Sequence, residues 1–154
     1  MINFDRIVPQ LFVGTCPRST VDVDRIRNSA GVSAVLNLQT DRDFGEYKID
    51  WSRLEDHYRT RNVTLRRVPI IDFNAADLRS KLVSAVDTLE ELLASEHTVY
   101  LHCTAGIGRA PTTAVARLAL RGDWELDSAV ELVMSRRRCA PNIDVIRAVM
   151  AGTS

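Results

Sequence analysis

The run Tyr100-Leu101-His102-Cys103-Thr104-Ala105-Gly106-Ile107-Gly108-Arg109-Ala110-Pro111 decides how this chain reads. Thr98-Val99-Tyr100-Leu101, short and apolar, predicts a buried strand. Pro111 stands where a first helical turn accepts it, and Val115, Leu118 and Ala119 carry a helix on to Gly122. Between strand and helix lies the pattern His-Cys-x5-Arg. Glycines at 106 and 108 let backbone N–H groups converge on one point, and the following helix adds its positive N-terminal end. Thr104, Ala105, Gly106, Ile107 and Gly108 then make an anion cradle of phosphate size, closed by the two-pronged guanidinium of Arg109. The same inward amides favour the ionised, nucleophilic form of Cys103.

Chemistry follows from that arrangement. Attack of Cys103 on phosphorus gives a cysteinyl-phosphate, with the transferring oxygens held by Arg109 and the loop amides, and hydrolysis releases phosphate. Such a route calls for no metal and no cofactor. His102 leaves its strand on the side opposite to Cys103, so it reads as a group that steadies the loop rather than as a general base. A departing alkoxide needs a proton, which places an acid on a nearby loop. The turn Asp72-Phe73-Asn74-Ala75-Ala76-Asp77 offers two carboxylates. Asp77 precedes a helical stripe and reads as its N-cap, leaving Asp72 as the acid.

Outward from the loop, apolar runs alternate with helical stripes. Ile7-Val8, Leu11–Gly14, 33–38 and 63–71 read as further strands, and a helix capped near Ser19 is expected to end near Asn28. Residues 40–50 read as a loop, and Trp51 to Tyr58 as a helix. Leu78, Leu82, Val86, Leu89 and Leu93 recur at helical spacing, giving a helix to about Ser95. Two more helices carry Leu126, Ala129, Val130, Val133 and Ile143, Ile146, Val149. This order predicts an α/β domain over 1–154 with a central, mainly parallel sheet flanked by helices.

Composition narrows the function classes. The 154 residues carry 20 basic and 20 acidic side chains, for a formal net charge of zero. No global field therefore draws the chain to nucleic acid or to an anionic membrane. No run approaches the ~20 apolar residues that span a bilayer, and the N-terminus lacks an apolar signal core, so a cytoplasmic location is expected. Cys16, Cys103 and Cys139 suit neither a disulfide framework nor paired zinc ligands. Arg136-Arg137-Arg138 reads as a solvated helix face.

The loop and the upstream aspartate resemble the dual-specificity phosphatase family. Within it, Cys103-Thr104-Ala105-Gly106-Ile107-Gly108-Arg109 is similar to the loop of the glucan phosphatases, the laforin and plant starch-excess type. The likeness extends through FVGTCPRSTVDVDRIR (12–27), DFNAADLR (72–79), GRAP (108–111) and MSRRRCAPNIDVIR (134–147). It implies the cysteine-dependent phosphatase fold, puts Asp72 on the catalytic acid, and puts Tyr47 and Phe73 on aromatic positions that stack on sugar rings. Ala140 stands where the plant enzymes carry a further aromatic, and Ala110 matches their residue after the arginine. The implied substrate is phosphorylated glucan, with the catalytic domain alone and no separate carbohydrate-binding module. A protein tyrosine, serine or threonine phosphatase is the alternative in the same chemistry. A phosphate-binding module without turnover, or a rhodanese-like sulfur carrier, would use a similar loop but has no need of Asp72.

Overall fold

The computed structural model describes residues 1–152. Five strands, β1 (Phe4–Val8), β2 (Leu11–Gly14), β3 (Ala34–Asn37), β4 (Thr64–Arg67) and β5 (Val99–His102), form one sheet in the order β1-β2-β5-β3-β4. β1 pairs antiparallel with β2 at one edge, and every other pairing is parallel. The central strand is therefore the one that leads into Cys103.

Alternation along the strands divides the core. Val99 and Leu101 of β5, with Ala34 and Leu36 of β3 and Leu11 and Val13 of β2, pack on one face. Helices α4 (Ala75–Ala94), α5 (Arg109–Arg121), α6 (Leu126–Arg136) and α7 (Ile143–Gly152) cover that face. Tyr100, Val35 and Phe12 point the other way, onto α1 (Thr20–Ala30) and α3 (Trp51–Thr60). Burying both faces of a parallel sheet in this way explains why β3 and β5 are apolar at nearly every position.

Four local expectations change. Residues 40–50 contain a helix, α2 (Asp41–Glu46), started by a reciprocal capping box between Thr40 and Asp43. β4 is shorter than 63–71: beyond Arg67 the chain still donates from Val68 N to Asn37 O and from Ile70 N to Leu38 O, both at 3.0 Å, but Pro69 between them has no amide to give. α1 runs on to Ala30, where Gly31, at φ 69°, provides the left-handed cap. The N-cap of α4 is Asn74, whose side chain accepts from Asp77 N at 2.8 Å, so Asp77 lies inside the first turn.

Candidate active site

Between β5 and α5 the chain turns through residues 103–108, and every carbonyl of that turn is claimed from outside. Cys103 O accepts from His102 Nδ1 at 2.8 Å, and Thr104 O from Cys16 N at 2.9 Å. Ala105 O and Gly106 O accept from Arg137 Nη2 and Nε at 3.1 and 2.7 Å, Ile107 O from Ala140 N at 2.8 Å. Gly108 O accepts from Thr112 N and Oγ1. A trans peptide directs its N–H opposite to its C=O, so turning these carbonyls outward turns the next residues' amides inward. Among the described residues the amides of 104–108 have no protein acceptor. The first turn of α5 adds to them, because Gly108 provides no side-chain cap to compete for its amides. The result is an anion cradle.

The two glycines of the loop differ. Gly106 sits at φ 68°, and a Cβ there would come 2.5 Å from Gly14 O and 2.7 Å from Arg137 Nη2. Position 106 thus excludes every side chain, on sterics and on backbone conformation. Gly108 has an ordinary negative φ of −110° and open space where a Cβ would go.

Arg109 is 4% exposed. Its Nη1 donates to Asp43 Oδ2 at 2.8 Å and to Ile70 O at 2.7 Å. Its Nη2 lies 3.3 Å from both Thr104 Oγ1 and Asp72 Oδ2, and its Nε has no partner although it is buried. A buried guanidinium with an unsatisfied N–H is costly unless something accepts from it. The Nε–Nη2 edge is the one that a tetrahedral oxyanion would engage with both prongs. Asp43, 5% exposed, lies on α2, within the segment 40–50 whose sequence predicts a loop. Burial raises its carboxyl, but the bonds from Arg109 and the Thr40 amide outweigh this and hold it below the usual carboxylate range. Thr104 Oγ1 also accepts from Gln39 Nε2 at 2.9 Å, tying the cradle to the end of β3.

Above the loop lies a cleft of about 500 Å³ lined by Cys103, Arg109, Asp72, Phe73, Ile107 and Ala140, among others. Asp72 Oδ1 accepts from Phe73 N at 3.1 Å, and its side chain stays about a third exposed. Asp77 is occupied elsewhere. It accepts from Ile71 N at 2.7 Å and from Lys81 Nζ at 3.0 Å, and the Ile71 amide, aided by Lys81, holds its carboxyl below the usual range. Asp77 is therefore a brace for the turn and a poor proton donor. Phe73 is fully exposed at the cleft, with φ 53°. Tyr47 does not share that cleft: it lines a separate recess of about 330 Å³ across Ala105, where the Arg18 guanidinium covers its ring at 5.2 Å. Trp51 stacks on Phe44 at 4.6 Å and is a packing residue.

His102 is buried against Tyr100, on the face away from the cleft, and burial lowers its pKa to about 4. It is neutral at any ordinary pH, so Nδ1 carries the proton that Cys103 O accepts. Arg137 corrects the reading of Arg136-Arg137-Arg138. α6 stops at Arg136, and the extended backbone at Arg137 turns that side chain inward while Arg136 and Arg138 stay exposed. A helical pattern could not show this, because the helix has already ended.

The family model described as dual specificity phosphatase, catalytic domain, matches residues 11–153. The chain belongs to that family. This dual-specificity phosphatase domain is 35% identical over 152 residues to the phosphoglucan phosphatase DSP4, amyloplastic, of Castanea sativa, spanning 97% of this chain and 40% of that protein. It is 28% identical over 146 residues to laforin of Mus musculus, spanning 88% of this chain and 44% of that one. It spans less than half the length of either relative. A crystal structure of Tk-PTP in the active form matches its fold with a TM-score of 0.77 at 24% identity, over 97% of this chain and 94% of that chain.

Proposed function

We propose that this domain hydrolyses phosphate monoesters through a cysteinyl-phosphate on Cys103, and that its substrate is phosphorylated glucan. The observation that carries the chemistry is the cradle: outward carbonyls from 103 to 108 with the unpartnered Nε of Arg109 beside them. Cys103 Sγ attacks phosphorus as the P–O bond to the substrate breaks, and Asp72 gives its proton to the departing oxygen. Asp72, now a carboxylate, takes a proton from water as that water attacks phosphorus, the S–P bond breaks, and phosphate leaves with Cys103 restored. Arg109 and the loop amides hold the three equatorial oxygens throughout.

Support for glucan comes from the resemblance to relatives named as phosphoglucan phosphatases and from the exposed Phe73 at the cleft beside Ile71 and Ile107. A sugar ring laid on Phe73 would keep its phosphate over Cys103. The protein phosphatase reading draws on Ala140, a small residue on the cleft wall that offers no second stacking surface, and on Tyr47, whose ring face is taken by Arg18. Phosphate release from phosphorylated amylopectin, measured against release from phosphotyrosine and phosphothreonine peptides, decides between them. A higher kcat/KM on the peptides would overturn the glucan assignment.

Phe73→Ala is expected to lower kcat/KM on phosphoglucan by about 2- to 10-fold, the worth of one aromatic contact, and to leave para-nitrophenyl phosphate hydrolysis nearly unchanged. Equal losses on both substrates would remove Phe73 from sugar recognition. Asp72→Asn should reduce kcat by about 10²-fold or more on alkyl phosphates and far less on para-nitrophenyl phosphate, whose leaving group needs little protonation. Asp77→Asn should leave this leaving-group dependence alone; the opposite pattern would move the acid to Asp77.

A further inference from the structure

Arg137 lies outside the cleft, yet its guanidinium reaches the back of the loop that forms the cleft floor. It is 6% exposed. Its Nε and Nη2, the two donors of one edge, bond the successive carbonyls Gly106 O and Ala105 O at 2.7 and 3.1 Å, while Nη1 meets Asp5 Oδ2 of β1 at 3.0 Å. The segment behind it continues the contact. Ala140 N holds Ile107 O, and Asn142 N donates to Thr112 Oγ1, which itself donates to Gly108 O. Residues 137–142 thus run along the outer side of the loop as a splint, reaching four consecutive carbonyls directly or through Thr112.

We propose that Arg137 is a positioning residue of the phosphate loop: its planar fork holds the 105–106 and 106–107 peptide groups so that the amides of Gly106 and Ile107 face the bound oxyanion. This deepens the phosphatase reading and rests on it. Without the fork, two adjacent peptides at a left-handed glycine lose the one side chain among the described residues that holds their carbonyls outward, and the Gly106 backbone is free to rotate. A lysine at 137 presents one ammonium on a flexible stem and cannot reproduce two parallel bonds in a fixed plane. Asp5 orients the fork from the N-terminal strand, so the sheet edge is coupled to the cradle.

The test uses Arg137→Met and Arg137→Lys in the whole chain. Tungstate affinity by calorimetry, kcat and KM on para-nitrophenyl phosphate, and thermal midpoint are the readouts. For Arg137→Met the expected result is tungstate binding weakened at least 30-fold and kcat lowered at least 100-fold in protein that still melts cooperatively, with Arg137→Lys between it and the wild type in both. A folded Arg137→Met with wild-type tungstate affinity and kcat, whatever its melting point, would overturn the proposal. If Arg137→Met does not fold, Arg137→Lys decides: paired losses of affinity and kcat support the role, and wild-type values for both refute it. Should the wild type bind tungstate but hydrolyse no phosphomonoester, the phosphatase reading fails, and the affinity comparison alone still decides the role of Arg137.

Discussion

Cys103→Ser is expected to lower kcat on para-nitrophenyl phosphate by at least about 10⁴-fold, in line with removal of a catalytic nucleophile elsewhere, while the protein keeps its fold and its affinity for tungstate. The side chain is 3% exposed and packed in the core that α4 and α5 share with the sheet, so a hydroxyl of nearly the same size leaves the packing in place. The cradle is built from backbone amides and Arg109 and survives the change. What is lost is the proposed nucleophile. A serine hydroxyl would need a base to ionise it, and none is bonded to the side chain at 103 among the described residues; the neighbouring imidazole of His102 serves Cys103 O. Turnover by Cys103→Ser above about 1% of the wild-type rate would show that phosphate transfer does not pass through this sulfur.

Arg109→Lys is expected to reduce kcat/KM by at least about 10³-fold, because the loss of a single preorganised donor to a developing oxyanion already costs about 10²- to 10³-fold and here a two-donor edge disappears. Nη1 of the native arginine is consumed by Asp43 and Ile70 O, which fixes the plane of the guanidinium and turns the edge of the unpartnered Nε, with Nη2 beside Thr104 and Asp72, toward the cradle. An ammonium at this place would be drawn to Asp43 and away from the cradle. A rate within tenfold of wild type would mean that charge alone suffices. Arg109→Met removes the charge as well and strands a buried Asp43. In the native protein the lowered Asp43 value means that its contribution to stability is present above the usual carboxylate range and is lost as pH falls through the lowered value. Once Arg109 is gone, burial acts on Asp43 without its largest opponent and raises its pKa, so the stranded carboxylate destabilises the fold at neutral pH and part of that loss returns as pH falls through the raised value; the stability gap between Arg109→Met and wild type, followed by circular dichroism, should narrow on acidification. A gap that stays constant with pH would place the stabilising partner of Asp43 elsewhere.

How far these residues were legible depends on the range of their partners. The strand before Cys103, the helix after Arg109 and the stripe Leu78, Leu82, Val86, Leu89 follow from local periodicity, and all form as read. The small helix α2 has its capping box, Thr40 to Asp43, written in the sequence, but six residues carry too little apolar periodicity to announce it. Its place before the stripe predicts Asp77 as the cap, yet Asn74 holds that role and frees Asp77 to brace Ile71. The choice of Asp72 over Asp77 therefore rests on Asp72 lining the cleft with Cys103 and on Asp77 being held by Ile71 N and Lys81, rather than on capping.

By itself, the chain's sequence determined the order of the strands and of the longer helices and the cysteine–arginine spacing, because each depends on residues within a few positions of one another. Tertiary structure alone decided that Asp43 grips Arg109 across 66 residues, that Arg137 supports the loop from 31 residues away, and that Phe73 and Tyr47 open onto different recesses. The reason is the sheet order β1-β2-β5-β3-β4. By setting β5 between β2 and β3, it brings the ends of distant segments to one loop whose carbonyls and whose arginine need partners that no neighbour in sequence can supply.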